Sequence, residues 1–249
     1  MQLARQIQRT FLPQEMPRLP GWEINVWWRT AREVGGDFYD LFSLPGNRLG
    51  LVIADVSDKG MSAALFMVLV RALLHASIKD TTSPAEVMER VNELLVPDAV
   101  GGTFVTLIYA VLDLQNGRIT YANAGHNPPI WVRKQTAEFE LLTRTSMALG
   151  VMENIEIEER SVMIEPGDFL VLYTDGVTDV FSPEDIPFGS ERLQQCVWDA
   201  AFCEPEHEAS AQGMLEAIDS AVDAFAGGVP PMDDSTALIF YRQNDRKQG

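Results

Sequence analysis

Short apolar runs and helically spaced apolar residues divide the chain into predicted strands and helices. Four runs are apolar over most of their length, as in buried strands, and they cover residues 50–54, 103–112, 169–173 and 237–241. Helical spacing predicts a well-buried helix over 61–78, because most of its faces are apolar. The capping sequence Ser83-Pro84-Ala85-Glu86 predicts a second helix that ends near Leu95. The pattern predicts a fold that mixes strands with helices.

The turn signal Asn116-Gly117 separates the strand over 103–112 from a second β-rich run over 118–122. An Asn-Gly pair between two such runs predicts a hairpin. A hairpin pairs its strands antiparallel, which argues against a purely parallel sheet. Further strands are predicted over 22–28, 130–132, 139–142 and 155–164, and further helices over 1–12, 192–202 and 208–225.

Composition and charge narrow the class of protein. With 249 residues and 46% hydrophobic content, the chain can bury a sizeable core. A formal net charge of -17 argues against a nucleic-acid or anionic-membrane surface, because phosphate groups attract basic patches. The most apolar helical stretch, 61–74, contains Ser62 and Arg71 and is shorter than the ~20 residues of a membrane span. We therefore expect neither nucleic-acid binding nor membrane insertion.

Cysteine usage predicts a reducing compartment. Cys196 and Cys203 lie on one predicted helix, where their spacing separates the Cα atoms by about 10 Å, too far for a disulfide. The first residues also lack the pattern of a signal peptide. We expect a cytoplasmic protein.

Aspartates stand at the ends of several predicted strands. Asp55 and Asp175 each end an apolar strand, Asp37 follows a pair of glycines, and Asp233 and Asp234 precede the last strand. Each alone fits ordinary turn or helix-cap chemistry. Brought together they would repel one another, and a divalent cation would remove that repulsion. Oxygen-only ligands favour Mg²⁺ or Mn²⁺ over zinc. Because these aspartates span nearly the whole chain, a shared site requires a single fold.

Two divalent ions about 3.5–4 Å apart can clamp a phosphoryl group and activate a water molecule. This chemistry needs no covalent intermediate, and the chain has no Gly-x-Ser-x-Gly elbow, no Cys-x-x-Cys and no P-loop. The aspartates therefore favour metal-assisted phosphate-ester hydrolysis.

Histidines and basic residues near these motifs are interpreted as structural. His126 lies in a turn, where a hydrogen-bonded ring is favoured over a catalytic or metal-bound one. His75 and His207 lack metal-ligand spacing. Arg32 and Lys59 are candidates for steering phosphate, and a solvated surface role is favoured for both.

Five ordered motifs resemble those of the metal-dependent, PPM-type (protein phosphatase type 2C-like) serine/threonine phosphatases. They are EVGGDFYD at 33–40, ADVSDKG at 54–60, AGHNP at 124–128, YTDGVTD at 173–179 and DDST at 233–236. The nearest branch is that of stage II sporulation protein E and the bacterial stress-response phosphatases, and the resemblance covers residues 1–242. It implies an α+β fold, a four-layer α/β/β/α sandwich of two antiparallel sheets flanked by helices.

The resemblance also implies a set of metal ligands and catalytic residues. Asp55 would bridge two Mn²⁺ or Mg²⁺ ions, and the carbonyl of Val56 would contact one of them. Further carboxylates, direct or through water, would come from Asp37, Asp175 and Asp233. Asp179 matches a position that helps to hold a weaker third ion.

Two positions depart from the family pattern, and a third supports the site indirectly. Asp179 stands where Glu is frequent. Asp58 stands where Gly is frequent and adds negative charge that would alter metal affinity. Asp234, at a position that is often Asn, would support the ligands without touching the ions.

The branch implies a substrate and a domain organisation. The substrate would be a phosphoserine or phosphothreonine on an anti-sigma-factor antagonist, in a partner-switching pathway. Residues 1–13 would form a linker helix that joins an upstream sensor or pairs in a homodimer. Residues 14–242 would form the phosphatase domain and 243–249 a disordered tail.

Three alternatives remain open at this point. The chain can be a catalytically silent phosphatase-like module that signals by binding alone. A phosphoacceptor receiver domain would use Asp55 as acceptor, but the Asn116-Gly117 hairpin contradicts its parallel sheet. A metal-dependent phosphodiesterase is chemically close, and residue spacing does not separate it from a monoesterase.

Overall fold

A computed structural model describes residues 2–79, 81–203 and 209–244 of the chain. The strands are β1 Trp22–Arg29, β2 Phe38–Leu44, β3 Arg48–Val56, β4 Val105–Asp113, β5 Arg118–Ala124, β6 Ile130–Arg133, β7 Glu138–Leu141, β8 Arg160–Met163, β9 Phe169–Tyr173 and β10 Ser235–Arg242. The helices are α1 Gln2–Phe11, α2 Met61–Ser77, α3 Pro84–Leu95, α4 Asp175–Thr178, α5 Gly189–Phe202 and α6 Ala211–Ala226, with short 3₁₀ turns at Val96–Asp98 and Val100–Gly102.

Two compact units alternate along the sequence. The first unit comprises Met1–Glu15, Arg32–Pro128 and Thr143–Met163, and the second comprises Met16–Ala31, Pro129–Leu142 and Ile164–Gly249. Each unit is built on one five-stranded antiparallel sheet, which confirms the predicted α+β class with two antiparallel sheets and accompanying helices. The assignment of residues 14–242 to one phosphatase domain stays a prediction.

The first unit has the strand order β2-β3-β4-β5-β8. Helices α2 and α3 pack on this sheet and on each other, and α1 packs against α2. The β4–β5 hairpin confirms the Asn-Gly prediction, since Gly117 adopts a φ of 83° and the carbonyl of Asp113 accepts its N–H at 2.9 Å. Ser83 caps α3 by accepting the N–H of Glu86, as its sequence predicts.

Helix α2 is less buried than its apolar sequence predicts. Ala63, Met67, Val70 and Leu74 lie on a buried face, whereas 66% of Leu65 is exposed. The sequence pattern overestimated burial because a helix lying on one face of a sheet covers only one side of itself.

The second unit has the strand order β1-β10-β9-β6-β7. Helices α5 and α6 pack on each other, with α6 against β1 and β10 and α5 against β6. Their inner faces and the sheet form one apolar core, which includes Phe169, Val171, Leu193 and Ile218. Strand β1 pairs with β10 from Trp22–Arg242 to Arg29–Ser235, so the sheet joins the two ends of the chain.

Several predicted segments differ from the structure at their ends. The strand predicted over 155–164 is limited to β8, and the last helix begins at Ala211. Of the predicted disordered tail, Gln243 donates its N–H to the carbonyl of Gly21, while 245–249 lie outside the described residues. His207 also lies outside them. Within the described ranges, no helix has both the length and the apolar content needed to cross a membrane.

Candidate metal centre

Asp37 and Asp55 lie at the same end of the β2–β3 strand pair. Phe38 pairs with Ala54 across β2 and β3, and extending this antiparallel register by one residue puts Asp37 opposite Asp55. Directly opposite residues have Cβ atoms about 4.5–5.5 Å apart. Asp37 is 1% exposed, whereas Asp55 is half-buried. The sheet thus presents two carboxylates at one edge.

Gly36 allows the segment that carries Asp37 to lie against the end of β3. A Cβ atom at Gly36 would lie 3.1 Å from the carbonyl oxygen of Val56, 3.1 Å from its Cβ and 3.2 Å from the Cβ of Ala63. Such distances are tighter than ordinary van der Waals contact. Glycine at this position therefore brings the Val56 carbonyl, a predicted ligand, close to the backbone next to Asp37.

The second unit holds its predicted ligands where β9 and β10 meet. Thr174 and Thr236 continue the pairing of these strands with hydrogen bonds of 2.9 and 3.0 Å. Asp175 begins α4 directly after β9. A Cβ atom at Gly176 would lie only 1.8 Å from the carbonyl oxygen of Asp234, so the start of α4 touches the backbone before β10. Asp175 and Asp233 are both half-buried at this edge.

Asp234 and Asp179 have different surroundings. The Asp234 carboxylate is 8% exposed and accepts the backbone N–H of Ala31 at 2.8 Å. Its own N–H donates to the Asp233 carboxylate at 2.9 Å, so it supports its neighbour from within the fold. Asp179 is exposed, and its N–H donates to the carbonyl of Asp175 at 2.7 Å.

The donor atoms fit a hard divalent ion. Every predicted ligand offers a carboxylate or carbonyl oxygen, the donor type that Mg²⁺ and Mn²⁺ prefer. Within the described residues, neither unit alone groups three or more His, Cys, Asp or Glu side chains closely enough to hold a metal ion. Each unit therefore holds only part of the predicted ligand set.

His126 lies closer to Asp55 than the sequence analysis indicated. Its ring is 1% exposed, and its Nδ1 lies 2.8 Å from the hydroxyl of Thr106, the residue paired with Asp55 across β3 and β4. Its N–H donates to the side chain of Asn123 at 2.8 Å. The ring is hydrogen-bonded, as interpreted, but it lies one strand from Asp55. The AGHNP motif at 124–128 was the sequence signal that pointed to this position.

Other polar residues of the motifs have structural or exposed positions. Asp40 is buried and pairs with Arg71 at 2.9 Å and with His75 at 2.6 Å, which ties α2 to β2. His75 is therefore structural, as interpreted. Arg32 and Lys59 are both exposed.

Asp58, the departure from the family pattern, is engaged in the turn before α2. A hydrogen bond from Ser62 lowers its pKa, as do the N–H of Lys59 at 2.8 Å and the charge of Arg32. A carboxyl with a lowered folded-state pKa stabilises the protein above the unfolded-state value of about 3.9. That contribution is lost as the pH falls through the folded-state pKa.

We expect Ser62→Ala to raise the pKa of Asp58 towards its usual value, because the variant removes the largest lowering contact. An NMR titration of the Asp58 side chain in both proteins measures the change. An unshifted pKa in the wild-type protein would contradict the hydrogen-bonded placement of Asp58.

Comparison with known proteins identifies the family. The family model described as stage II sporulation protein E (SpoIIE) matches residues 45–243. The chain belongs to the SpoIIE family. This range contains four of the five motifs that suggested the resemblance, and the first motif, at 33–40, precedes it.

Relatives of this SpoIIE-family chain include proteins of known name. It is 34% identical to Protein IcfG of Synechocystis sp., over 97% of this chain and 41% of the relative. It is 31% identical to the phosphoserine phosphatase RsbP of Bacillus subtilis, over 72% of this chain and 45% of the relative. The chain thus spans less than half the length of these two relatives.

Solved structures share the SpoIIE-family fold. The SiaA-PP2C domain of Pseudomonas aeruginosa matches with a TM-score of 0.83 at 23% identity, covering 96% of this chain and 94% of that domain. RsbX, solved in complex with magnesium, matches with a TM-score of 0.63 at 14% identity, covering 91% and 98%. These structural matches establish the fold of the chain.

Proposed function

We propose that this chain is a metal-dependent phosphoprotein phosphatase that hydrolyses phosphoserine or phosphothreonine monoesters. The observation that carries the proposal is Asp37 opposite Asp55 beside the Val56 carbonyl, in a chain of the SpoIIE family. The name of RsbP, a phosphoserine phosphatase, supports the reaction, and the magnesium complex of RsbX supports the metal.

We propose the ligand set that the motifs imply, for two ions and a weaker third. Asp55 would be shared between two ions, the carbonyl of Val56 would serve one of them, and Asp37, Asp175 and Asp233 would supply further carboxylates. Asp179 would help to hold the third ion. Bound Mg²⁺ or Mn²⁺ would supply Lewis acidity and an activated water.

The chain's own residues hold these donors in place. The β2–β3 pairing ends next to Asp37 and Asp55, which limits how far the backbone of either residue can move when an ion binds. In the second unit, Asp234 bonds to Ala31 and to the segment that carries Asp233. Asp55, Asp175 and Asp233 are half-buried, so part of each residue remains accessible.

The proposed substrate is a phosphorylated anti-sigma-factor antagonist in a cytoplasmic partner-switching pathway. The match to the SpoIIE family and the similarity to the phosphoserine phosphatase RsbP support a phosphoprotein substrate. An upstream sensor domain is consistent with a chain that spans less than half the length of Protein IcfG and RsbP. Homodimerisation through α1 is supported by Leu3 and Ile7, which are 70% and 49% exposed at helical spacing.

Phosphate release tests the proposal. We expect the purified protein to release phosphate from a phosphoserine peptide and from an aryl phosphate monoester when millimolar Mn²⁺ is present. Chelation by EDTA is expected to abolish the release. An aryl phosphate diester is expected to remain intact, and its hydrolysis would favour the phosphodiesterase. A folded protein that is inert towards both esters would favour the catalytically silent binding module.

A further inference from the structure

Helix α1 buries a polar side chain. Of its side chains that the structure describes, from Leu3 to Phe11, Gln8 alone is buried, at 3% exposure. Leu3 and Ile7, two of the apolar residues of this helix, are exposed instead. A helix that only filled the core would bury its leucine and isoleucine. The inward position of Gln8 requires another explanation.

The Gln8 side chain binds both backbone groups of Gly35. Its Nε2 donates to the carbonyl of Gly35 at 2.6 Å, and its Oε1 accepts the N–H of Gly35 at 3.1 Å. An amide side chain can donate and accept at the same time, whereas a carboxylate lacks the donor and a methionine offers only a weak sulfur acceptor. Gly35 is buried, so losing this partner would leave two backbone groups without a replacement from water.

The Gly35 peptide leads directly into the candidate metal centre. Gly36 follows Gly35, and a Cβ atom placed at Gly36 would lie 3.1 Å from the carbonyl oxygen of Val56. Asp37 comes next in the chain. The segment 35–37 is therefore held by Gln8 at Gly35 and by the end of β3 at Gly36. Asp37 has little freedom to move while both contacts are made.

We propose that Gln8 is a positioning residue for the metal centre, which fixes Asp37 by holding the Gly35 backbone. The inference rests on the proposed function, because it assigns Asp37 to a metal ion. Gln8 itself does not touch the ion. Its loss weakens metal binding because part of the binding energy is then used to order the 35–37 segment.

The experiment compares Gln8→Met, which removes both hydrogen bonds, with Gln8→Glu, which keeps the acceptor for the Gly35 N–H. The matched control is Gln6→Met, which makes the same change at an exposed position of the same helix. Calorimetric titration with Mn²⁺ alone measures affinity. Hydrogen exchange of the 35–37 amides, without metal, measures local order.

We expect Gln8→Met to weaken Mn²⁺ binding about tenfold, the size of effect seen when a group that supports a metal ligand is removed. Phosphate release at saturating Mn²⁺ is expected to stay within about twofold of the wild-type rate. Exchange at 35–37 is expected to accelerate. Gln8→Glu is expected to lie between Gln8→Met and the wild type, and Gln6→Met to match the wild type.

The outcomes separate the two proposals. If the wild type binds Mn²⁺ and Gln8→Met matches Gln6→Met in affinity, the positioning role is overturned and the phosphatase stands. If Gln8→Met and Gln8→Glu lower only the melting temperature and leave the Mn²⁺ affinity intact, Gln8 is a packing residue and the inference is again overturned. If the wild type binds no Mn²⁺, the proposed function falls and the inference falls with it.

Discussion

Asp55→Asn is expected to lower Mn²⁺-dependent phosphate release at least about a thousandfold. Asp55 is the proposed bridging ligand, and a neutral amide cannot balance the charge of two ions. Metal catalysis is worth several kcal/mol of transition-state stabilisation, and each 1.36 kcal/mol corresponds to a tenfold change in rate. The measurement is phosphate release from a phosphoserine peptide across a Mn²⁺ titration.

The fold of Asp55→Asn is expected to be intact. Without metal, the variant removes one of two neighbouring carboxylate charges, so its melting temperature is expected to equal or exceed that of the wild type. The control is Asp98→Asn, the same substitution at an exposed aspartate. Full activity in Asp55→Asn would remove Asp55 from the site, and an unfolded variant would mean that its main role is structural.

Gly176→Ala is expected to destabilise the protein by about 3 kcal/mol or more. The added Cβ would lie 1.8 Å from the carbonyl oxygen of Asp234, a backbone atom that can move only if the start of α4 separates from β10. Overpacking a tight site typically costs about 1–3 kcal/mol and sometimes more. For a chain of this size, that cost corresponds to a fall in melting temperature of about 6–12 °C. Thermal unfolding followed by circular dichroism measures it.

Gly213→Ala is the matched control, because Gly213 also lies in a helix. Its Cβ would meet only the side-chain oxygen of Ser210, at 3.2 Å, and a shift of a few tenths of an ångström relieves this contact while Ser210 keeps accepting the N–H of Gly213. Alanine also has the higher helix propensity. We expect a change of less than about 1 kcal/mol in the free energy of unfolding. Equal melting temperatures for the two variants would contradict the backbone contact between Gly176 and Asp234.

Local sequence signals predicted the features that depend on local chemistry. The Asn116-Gly117 hairpin forms because glycine adopts the positive φ of that turn. Ser83 caps α3 by accepting the N–H of Glu86, three residues later. The strand that carries Asp55, β3, follows from one apolar run. These features involve residues close in sequence, so composition and spacing were sufficient to find them.

Features that depend on distant residues were not predictable in the same way. The alternation of two units cannot be read from local pattern, because apolar runs form the strands of both units. Gln8 contacts Gly35 across a separation of 27 residues, whereas the local pattern predicted only a helix over 1–12. A polar residue that bonds to a distant backbone leaves no periodic signal.

The alternation of the two units has a practical consequence for dissecting the molecule. Six consecutive sequence segments alternate between the two units, so neither unit can be expressed as one uninterrupted fragment. Pairing of Trp22 with Arg242 must wait until Arg242 has left the ribosome, 220 residues after Trp22. Such long-range pairing makes folding slow. Removing the C-terminal segment would remove β10, the inner neighbour of β9. Removing the N-terminal segment would remove β1, an edge strand of the second sheet.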